Sequence, residues 1–400
     1  MKYDFNTIID RQGKDAVAVD IIDQLPVKIK EGFSVIPMWV ADMNFATVST
    51  IQEAVIKRTQ HPTFGYFFPR EAYYDAIIQW QKSRNEVEGL TKEEISYENG
   101  VLGCVVSSVN AFTSPGEAVL IHAPTYIGFT HCLEDNGRKI ILSHLKQDDE
   151  GTWRMDYEDM NKKIKENNIH CVVFCSPHNP CGRVWEKEEL EAAMKVYAEN
   201  ECVVISDEIW SDLTLRGYRH IPTQSISEDA KNRTIAIYAP SKTFNLAGLI
   251  GSYHIIYNKM LRDRVRKYAA STHYNHMNVL SMYALIGAYE EAGYEWLEEL
   301  KEVLTANVEY AYNYICEHFK GVTLAKPEGT YMLYLDCSKW CETHNKSLET
   351  LLHKGMSYGV LWQDGRPFNR PDTIRMNVAL PMSLLKEGMK RLDQFVFNAC

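Results

Sequence analysis

Four stretches of the 400-residue chain put chemically useful side chains at the end of an apolar run. Lys242 stands in SKTFN (241–245), after TIAIYAP (234–240). Asp207 and Glu208 end CVVISDE (202–208). Asn179 lies in SPHNPCGR (176–183), after an apolar run ending near Cys175. ENGVLG (98–103) opens a helix pattern with Val101, Val105, Val109 and Phe112 on its apolar side. A buried core would not choose these polar residues. A lysine amine can form a Schiff base with an aldehyde. A carboxylate can keep a nearby nitrogen base protonated. The N–H groups of Val101 and Leu102, at a helix start behind Gly100, can hold an anion. Arg375, in IRMNVAL, could grip a carboxylate through two parallel hydrogen bonds, which a lysine cannot reproduce. Each residue alone also has a plain structural reading. Lys242 could be a solvated loop lysine and Asp207 a turn acid. Pro180 and Gly182 are turn formers, and Arg375 could be a salt-bridged surface residue.

The elements that must position these residues follow from hydrophobic periodicity. AVLIHAP (118–124), KIILSHL (139–145), CVVFCSP (171–177), CVVISDE, TIAIYAP and LIGSYHIIY (249–257) are short continuous apolar runs. Helix-period segments separate them, such as 126–136 and EKEELEAAMKVYAEN (186–200). This pattern predicts an α/β fold with a mostly parallel sheet sandwiched by helices. In such sheets ligands gather beyond the carboxyl ends of the strands, where the residues above lie. From about 290 the pattern changes. A long helical stretch (294–319) leads to short strands and a final helix near 382–398, which predicts a smaller α+β domain. The expected organisation is an N-terminal segment (1–45) packing on the small domain, a large domain (46–288) and a small C-terminal domain (289–400).

Composition narrows the partners. Lys plus Arg number 43 and Asp plus Glu 53, a net charge of −10. Nucleic acid and anionic membranes select for basic faces, so neither is expected as the main partner. No apolar run approaches the roughly 18 residues that span a bilayer. The charged N-terminus has no apolar signal core, which predicts a cytoplasmic protein. The ten cysteines, Cys104 to Cys400, read as reduced thiols. Cys337, Cys341 and His344 come nearest to a ligand cluster. They lack a fourth ligand and fit one helix face, so no metal is expected.

Taken in order, the motifs NG-x-x-G, P-x-Y, N-P-x-G, S-D-E, S-K and R-x-N resemble the class I/II aminotransferase superfamily of fold-type-I pyridoxal phosphate enzymes. PMWVADMNF (37–45), FGYFFP (64–69), SPHNPCGRVW (176–185), SDEIWSDL (206–213) and APSKTFNLAGLIGSY (239–253) resemble its cystathionine β-lyase branch, of MalY/PatB type. Any one string is weak evidence; several in order are specific.

The resemblance implies the superfamily's seven-stranded-type sheet and pyridoxal 5′-phosphate as cofactor. It implies Lys242 as the lysine bonded to the cofactor and as the mover of the α-proton. Asp207 would face the pyridine nitrogen, Asn179 the phenolate oxygen, and Tyr126 the ring. Val101, Leu102 and Ser241 would hold the phosphate, with Tyr66 reaching in from the partner of a homodimer. Arg375 and Asn179 would meet the substrate carboxylate, Val40 and Ala41 would close over a small amino-acid substrate, and His178 and Arg183 would support Asn179. The implied activity is carbon–sulfur β-elimination, with amino-acid transamination as the alternative and a non-catalytic protein of the same fold behind both. The chain departs from its relatives at Trp210, Ile127, Ile250 and Asn44. These departures bear on the reaction type more than on the cofactor.

Overall fold

Strands covered on both faces read as continuous apolar runs, because neither face meets water. In the computed structural model, which describes residues 1–398, the central strands of a seven-stranded sheet are of this kind. The seven strands are β1 (Ile95–Glu98), β2 (Ala118–Ala123), β3 (Lys139–His144), β4 (Cys171–Cys175), β5 (Val203–Asp207), β6 (Thr234–Tyr238) and β7 (Ser252–Ile255). Their order across the sheet is β3-β2-β4-β5-β6-β7-β1. The strands from β3 to β6 are parallel; β7 runs antiparallel between β6 and β1. Cys400 lies outside the described residues.

The period of two along each strand divides two cores. On β4, Cys171, Val173 and Cys175 enter one core, while Val172 and Phe174 enter the other. Burying each large side chain contributes about 1.5–3 kcal/mol. The helices that cover the sheet show the matching 3.6 period. Lys187–Glu199 buries Leu190, Ala193, Met194 and Tyr197, and it opens on a capping box formed by Glu186 and Glu189. Register places the chemistry: Cys175 pairs with Asp207, and Asp207 with Ile237, so the turns after β4, β5 and β6 emerge side by side.

Beyond the sheet, the 28-residue helix Glu291–His318 leads to three antiparallel strands. Thr373–Asn377 is central, between Met332–Asp336 and Gln363–Asp364, and Arg375 pairs with both Tyr334 and Gln363. The N-terminal residues meet this part twice. Phe5 packs edge-on to Phe45 and against Trp296, and Ile36–Pro37 pairs in parallel with Val360–Leu361. The final helix ends at Leu392 and continues as a π-turn, Asp393–Phe397. Cys337, Cys341 and His344 lie on or next to one short helix, Ser338–His344, where the His344 ring stacks on Trp340 with Nδ1 2.8 Å from the Trp340 carbonyl. Among the described residues no helix is long and apolar enough to cross a membrane.

Candidate active site

A cavity of about 240 Å³ opens beyond the carboxyl ends of β4, β5 and β6. Ala41, Val101, Leu102, Tyr126, Asn179, Asp207, Ser241 and Lys242 line it together, with Cys175, Trp210 and Ile250. Arg375 lies behind Asn179, Val40 one residue outside the lining, and Tyr66 fully exposed and away from it.

Three ionisable groups here are held in unusual states. Lys242 leaves β6 on a single helical turn, Pro240–Thr243. Thr243 Oγ1 anchors that turn to Asp212, 2.9 Å away, and Asp212 also accepts from the Trp80 indole. The Lys242 side chain is half-buried. Loss of water around its amine, then the nearby Arg375 charge, push it down to about 8. Its Nζ donates to the Ala41 carbonyl at 2.9 Å.

Asp207 and Glu208 are adjacent buried carboxyl groups with opposite fates. Glu208 accepts from His220 Nε2 (2.7 Å), Tyr238 OH (2.6 Å), Ser206 Oγ (2.9 Å) and the Thr223 N–H (3.1 Å). Its burial would raise it, but these contacts together hold it below the usual range. Among the described residues the Asp207 carboxyl accepts only the Ile209 N–H, at 3.0 Å, and burial pushes it up to about 7. A cationic partner placed in the cavity would relieve that cost.

Arg375 is 3% exposed and has no carboxylate partner among the described residues. Its guanidinium donates to Asn179 Oδ1 (3.1 Å), the Trp39 carbonyl (3.3 Å) and Gln363 Oε1, while Nε is buried without an acceptor. Burial brings it down to about 10. A buried cation left unpaired is a place for an incoming anion.

The supporting shell is built as tightly. Gly182 takes φ +69, where an added Cβ would lie 2.8 Å from Pro327 Cβ, so only glycine fits this turn. The turn holds Asn179, and the Gly182 carbonyl accepts the Glu328 and Gly329 N–H groups. Arg183, paired with Glu189 and Glu328, ties it to the C-terminal part. His178 is buried and neutral, pushed down to about 3 by loss of water. Gly100, at φ +84, turns the chain so that the helix Val101–Phe112 opens toward the cavity with its first N–H groups free of intrahelical partners.

Several residues here carry no sequence signal that singles them out. A Cβ on Gly128 would stand 2.5 Å from the Tyr126 ring, so glycine lets that ring lie across the cavity wall. Tyr331 and Gln363 are revealed only by their contacts, while Asn377 and Asn245 stand inside quoted motifs, R-x-N and SKTFN, that give them no role. Of the departures, Trp210 is 2% exposed, with its ring edge-on to Tyr331 and 5.9 Å from Lys242 Nζ. Ile127 begins the helix Ile127–Asp135, and Asn44 accepts from Arg11. Ile250 lines the cavity in the left-handed region, φ +46, which costs a β-branched residue about 1–2 kcal/mol.

A lysine amine at a strand end, a buried carboxylate and a helix start line one cavity, and a buried guanidinium stands behind its wall. The chain belongs to the aminotransferase class I and II family, whose profile matches residues 35–392. It is similar to "Cystathionine beta-lyase PatB" of Bacillus subtilis (strain 168), 33% identical over 362 residues, 89% of this chain and 91% of that one. Among solved structures it is similar to cystalysin from Treponema denticola, which contains a pyridoxal 5′-phosphate cofactor, with a TM-score of 0.90 and 30% identity over 98% of each chain. It is also similar to the pyridoxal phosphate-bound C–S lyase of Staphylococcus hominis, with a TM-score of 0.88 and 29% identity over 99% of this chain and 98% of that one.

Proposed function

We propose that this chain is a pyridoxal phosphate-dependent carbon–sulfur β-lyase of amino-acid metabolism, cytoplasmic and homodimeric, that releases a thiol, ammonia and a 2-oxo acid. The carrying observation is that Lys242 and Asp207, both perturbed by burial, line one cavity, with the buried Arg375 bonded to Asn179 of its wall. The donor set fits the cofactor. The Val101 and Leu102 N–H groups and the Ser241 hydroxyl suit its phosphate, Tyr126 its ring, and Asn179 its phenolate oxygen. Asp207 suits its pyridine nitrogen, and Lys242 its aldehyde. Bound there, pyridoxal phosphate supplies an aldehyde that takes the substrate amino group and a ring that accepts electrons released at the α-carbon.

The chain's own residues do the rest. Arg375 binds the substrate carboxylate through paired N–H groups, with Asn179 beside it. Val40 and Ala41 cover the substrate. Lys242 Nζ takes the α-proton, for which its lowered basicity suits it near neutral pH. The thiolate on the β-carbon then leaves with its bonding pair and is protonated, and water releases ammonia and the 2-oxo acid. Should Lys242 deliver its proton to the cofactor instead, the same residues would transaminate. The deciding experiment is incubation with L-cystathionine, L-cystine and simple amino acids, with and without a 2-oxo acid acceptor. Ammonia and pyruvate without an acceptor support the lyase; amino-group transfer only with one makes the chain an aminotransferase.

Two further outcomes are expected. Arg375→Lys keeps the charge and loses the paired geometry. One charge-assisted bond is worth about 1.5–3 kcal/mol, so the Michaelis constant should rise by roughly ten- to a hundredfold. Cofactor affinity, measured by absorbance titration, should change little. The second concerns the dimer. The exposure of Tyr66, between the exposed Phe64 and Phe68, supports its reading as a residue given to the partner's site. Mixing inactive Lys242→Ala chains with inactive Tyr66→Asp chains should then restore activity after subunit exchange, at one intact site per mixed dimer. No recovery after proven exchange would remove Tyr66 from the partner's site.

A further inference from the structure

The hydrogen-bond acceptor of the Lys242 amine is the main-chain carbonyl of Ala41, in the irregular segment between Pro37 and Ser49. Such a segment does not fix a carbonyl by itself; side chains from three distant parts of the sequence do so. Asn377, 1% exposed, donates from Nδ2 to the Val40 carbonyl at 2.6 Å and to the Asp42 carbonyl at 2.5 Å. It therefore grips the peptide units on both sides of Ala41. Its Oδ1 is itself fixed by the Ala379 N–H at 2.7 Å. Tyr331, fully buried, donates its hydroxyl to the Ala41 carbonyl at 3.1 Å. Asn245 brackets Met43, accepting its N–H at 3.0 Å and donating to its carbonyl at 2.9 Å. Asn377 and Arg375 are two residues apart on one strand, so they project from the same side of it. One strand thus carries the unpaired guanidinium and the grip on the loop.

We propose that Asn377 and Tyr331 are positioning residues that hold the Ala41 carbonyl as the acceptor for the free amine of Lys242. The inference rests on the reading of Lys242 as the proton carrier. A carbonyl favours the ammonium over the neutral amine, because hydrogen bonds from a charged donor are about twice as strong. When Nζ takes the α-proton, the electron pair stays with the substrate and the new ammonium has a fixed acceptor. When the proton leaves, the same contact keeps the amine in place.

The test uses the cofactor-free chain. Pyridoxal phosphate is added over a series of pH values, and growth of the violet absorption band is followed. Only the neutral amine attacks the aldehyde, so the rate reports the ionisation of Lys242, with a midpoint expected near 8 in the unaltered chain. Asn377→Leu keeps the branched shape, though with bulkier methyl groups, and removes both donors. Its midpoint should fall by about one pH unit, and kcat for the unaltered chain's best substrate should fall roughly tenfold while KM stays within about twofold. Asn377→Ser retains one donor and should shift less in the same direction; it carries the test if the leucine variant does not fold. A midpoint that stays or rises, with the band still forming, overturns this inference alone. Failure of the unaltered chain to form the band at all overturns the cofactor reading itself.

Discussion

Lys242→Ala is expected to abolish turnover while leaving the fold intact. The residue's single helical turn is held by Thr243 on Asp212 and by the Phe244 N–H on the Pro240 carbonyl, and neither contact involves the lysine side chain. Truncation removes a partly desolvated amine, so the loss of stability should be small. The loss of chemistry should be large. A positioned proton carrier contributes about 10²–10⁴ in rate, and the covalent attachment of the cofactor is lost as well. The variant should hold any cofactor as the free aldehyde and surrender it on gel filtration, whereas the unaltered chain keeps it. In the unaltered chain, the steps needing neutral Lys242 should speed up as pH rises toward 8 and then level off, because burial has brought the amine down from 10.5 to about 8. A variant as active as the unaltered chain would mean that this protein is not a lysine-dependent enzyme at all.

How much of this was legible in the sequence depends on what each feature leaves behind in one dimension. The strands were legible because two-sided burial writes continuous apolar runs. All six runs became strands of one sheet, with β1 added from ISYE just before the glycine turn. The side chains around the cavity were legible because a ligand needs particular atoms at strand ends, and those residues recur in a fixed order. The fine structure was not. The Ala41 carbonyl is a main-chain atom and any residue would supply it. Tyr331 and Gln363 look like ordinary core or strand polar residues until their partners are known, and Asn377, though it ends the R-x-N motif, shows its role only through its contacts. Ile36–Pro37 and Val360–Leu361 are too short for a period of two to show, and their pairing spans most of the chain. The contrast between Glu208 and Asp207 was half-visible. A structural role for Glu208 follows from its place beside a strand end, but its partners come from two further segments, His220 with Thr223 and Tyr238, that no spacing rule connects.

Asp207→Asn is expected to make the cofactor-free chain more stable and the loaded enzyme far slower. Asparagine keeps the shape and can still accept the Ile209 N–H, so the packing at the end of β5 is preserved. What it removes is a charge that the fold carries at a cost. In the folded chain without cofactor, burial holds the Asp207 carboxyl up at about 7 against an ordinary 3.8. The unfolded chain therefore gives up this proton first, and the folded state loses stability as pH rises from about 4 to about 7. Asparagine has no such loss. The variant should melt above the unaltered chain at pH 8, and the gap should close toward pH 4, as scanning calorimetry of both cofactor-free proteins would reveal. Catalysis should move the other way. A carboxylate in contact with a protonated ring nitrogen is worth about 4 kcal/mol at an effective dielectric constant near 20. Its loss should lower kcat by roughly a thousandfold, with weaker retention of the cofactor. A variant that melted lower at pH 8, or that kept its kcat, would show that Asp207 supports the strand end and does not serve the ring. The two measurements together separate a residue kept for packing from one whose charge the fold tolerates because a ligand repays it.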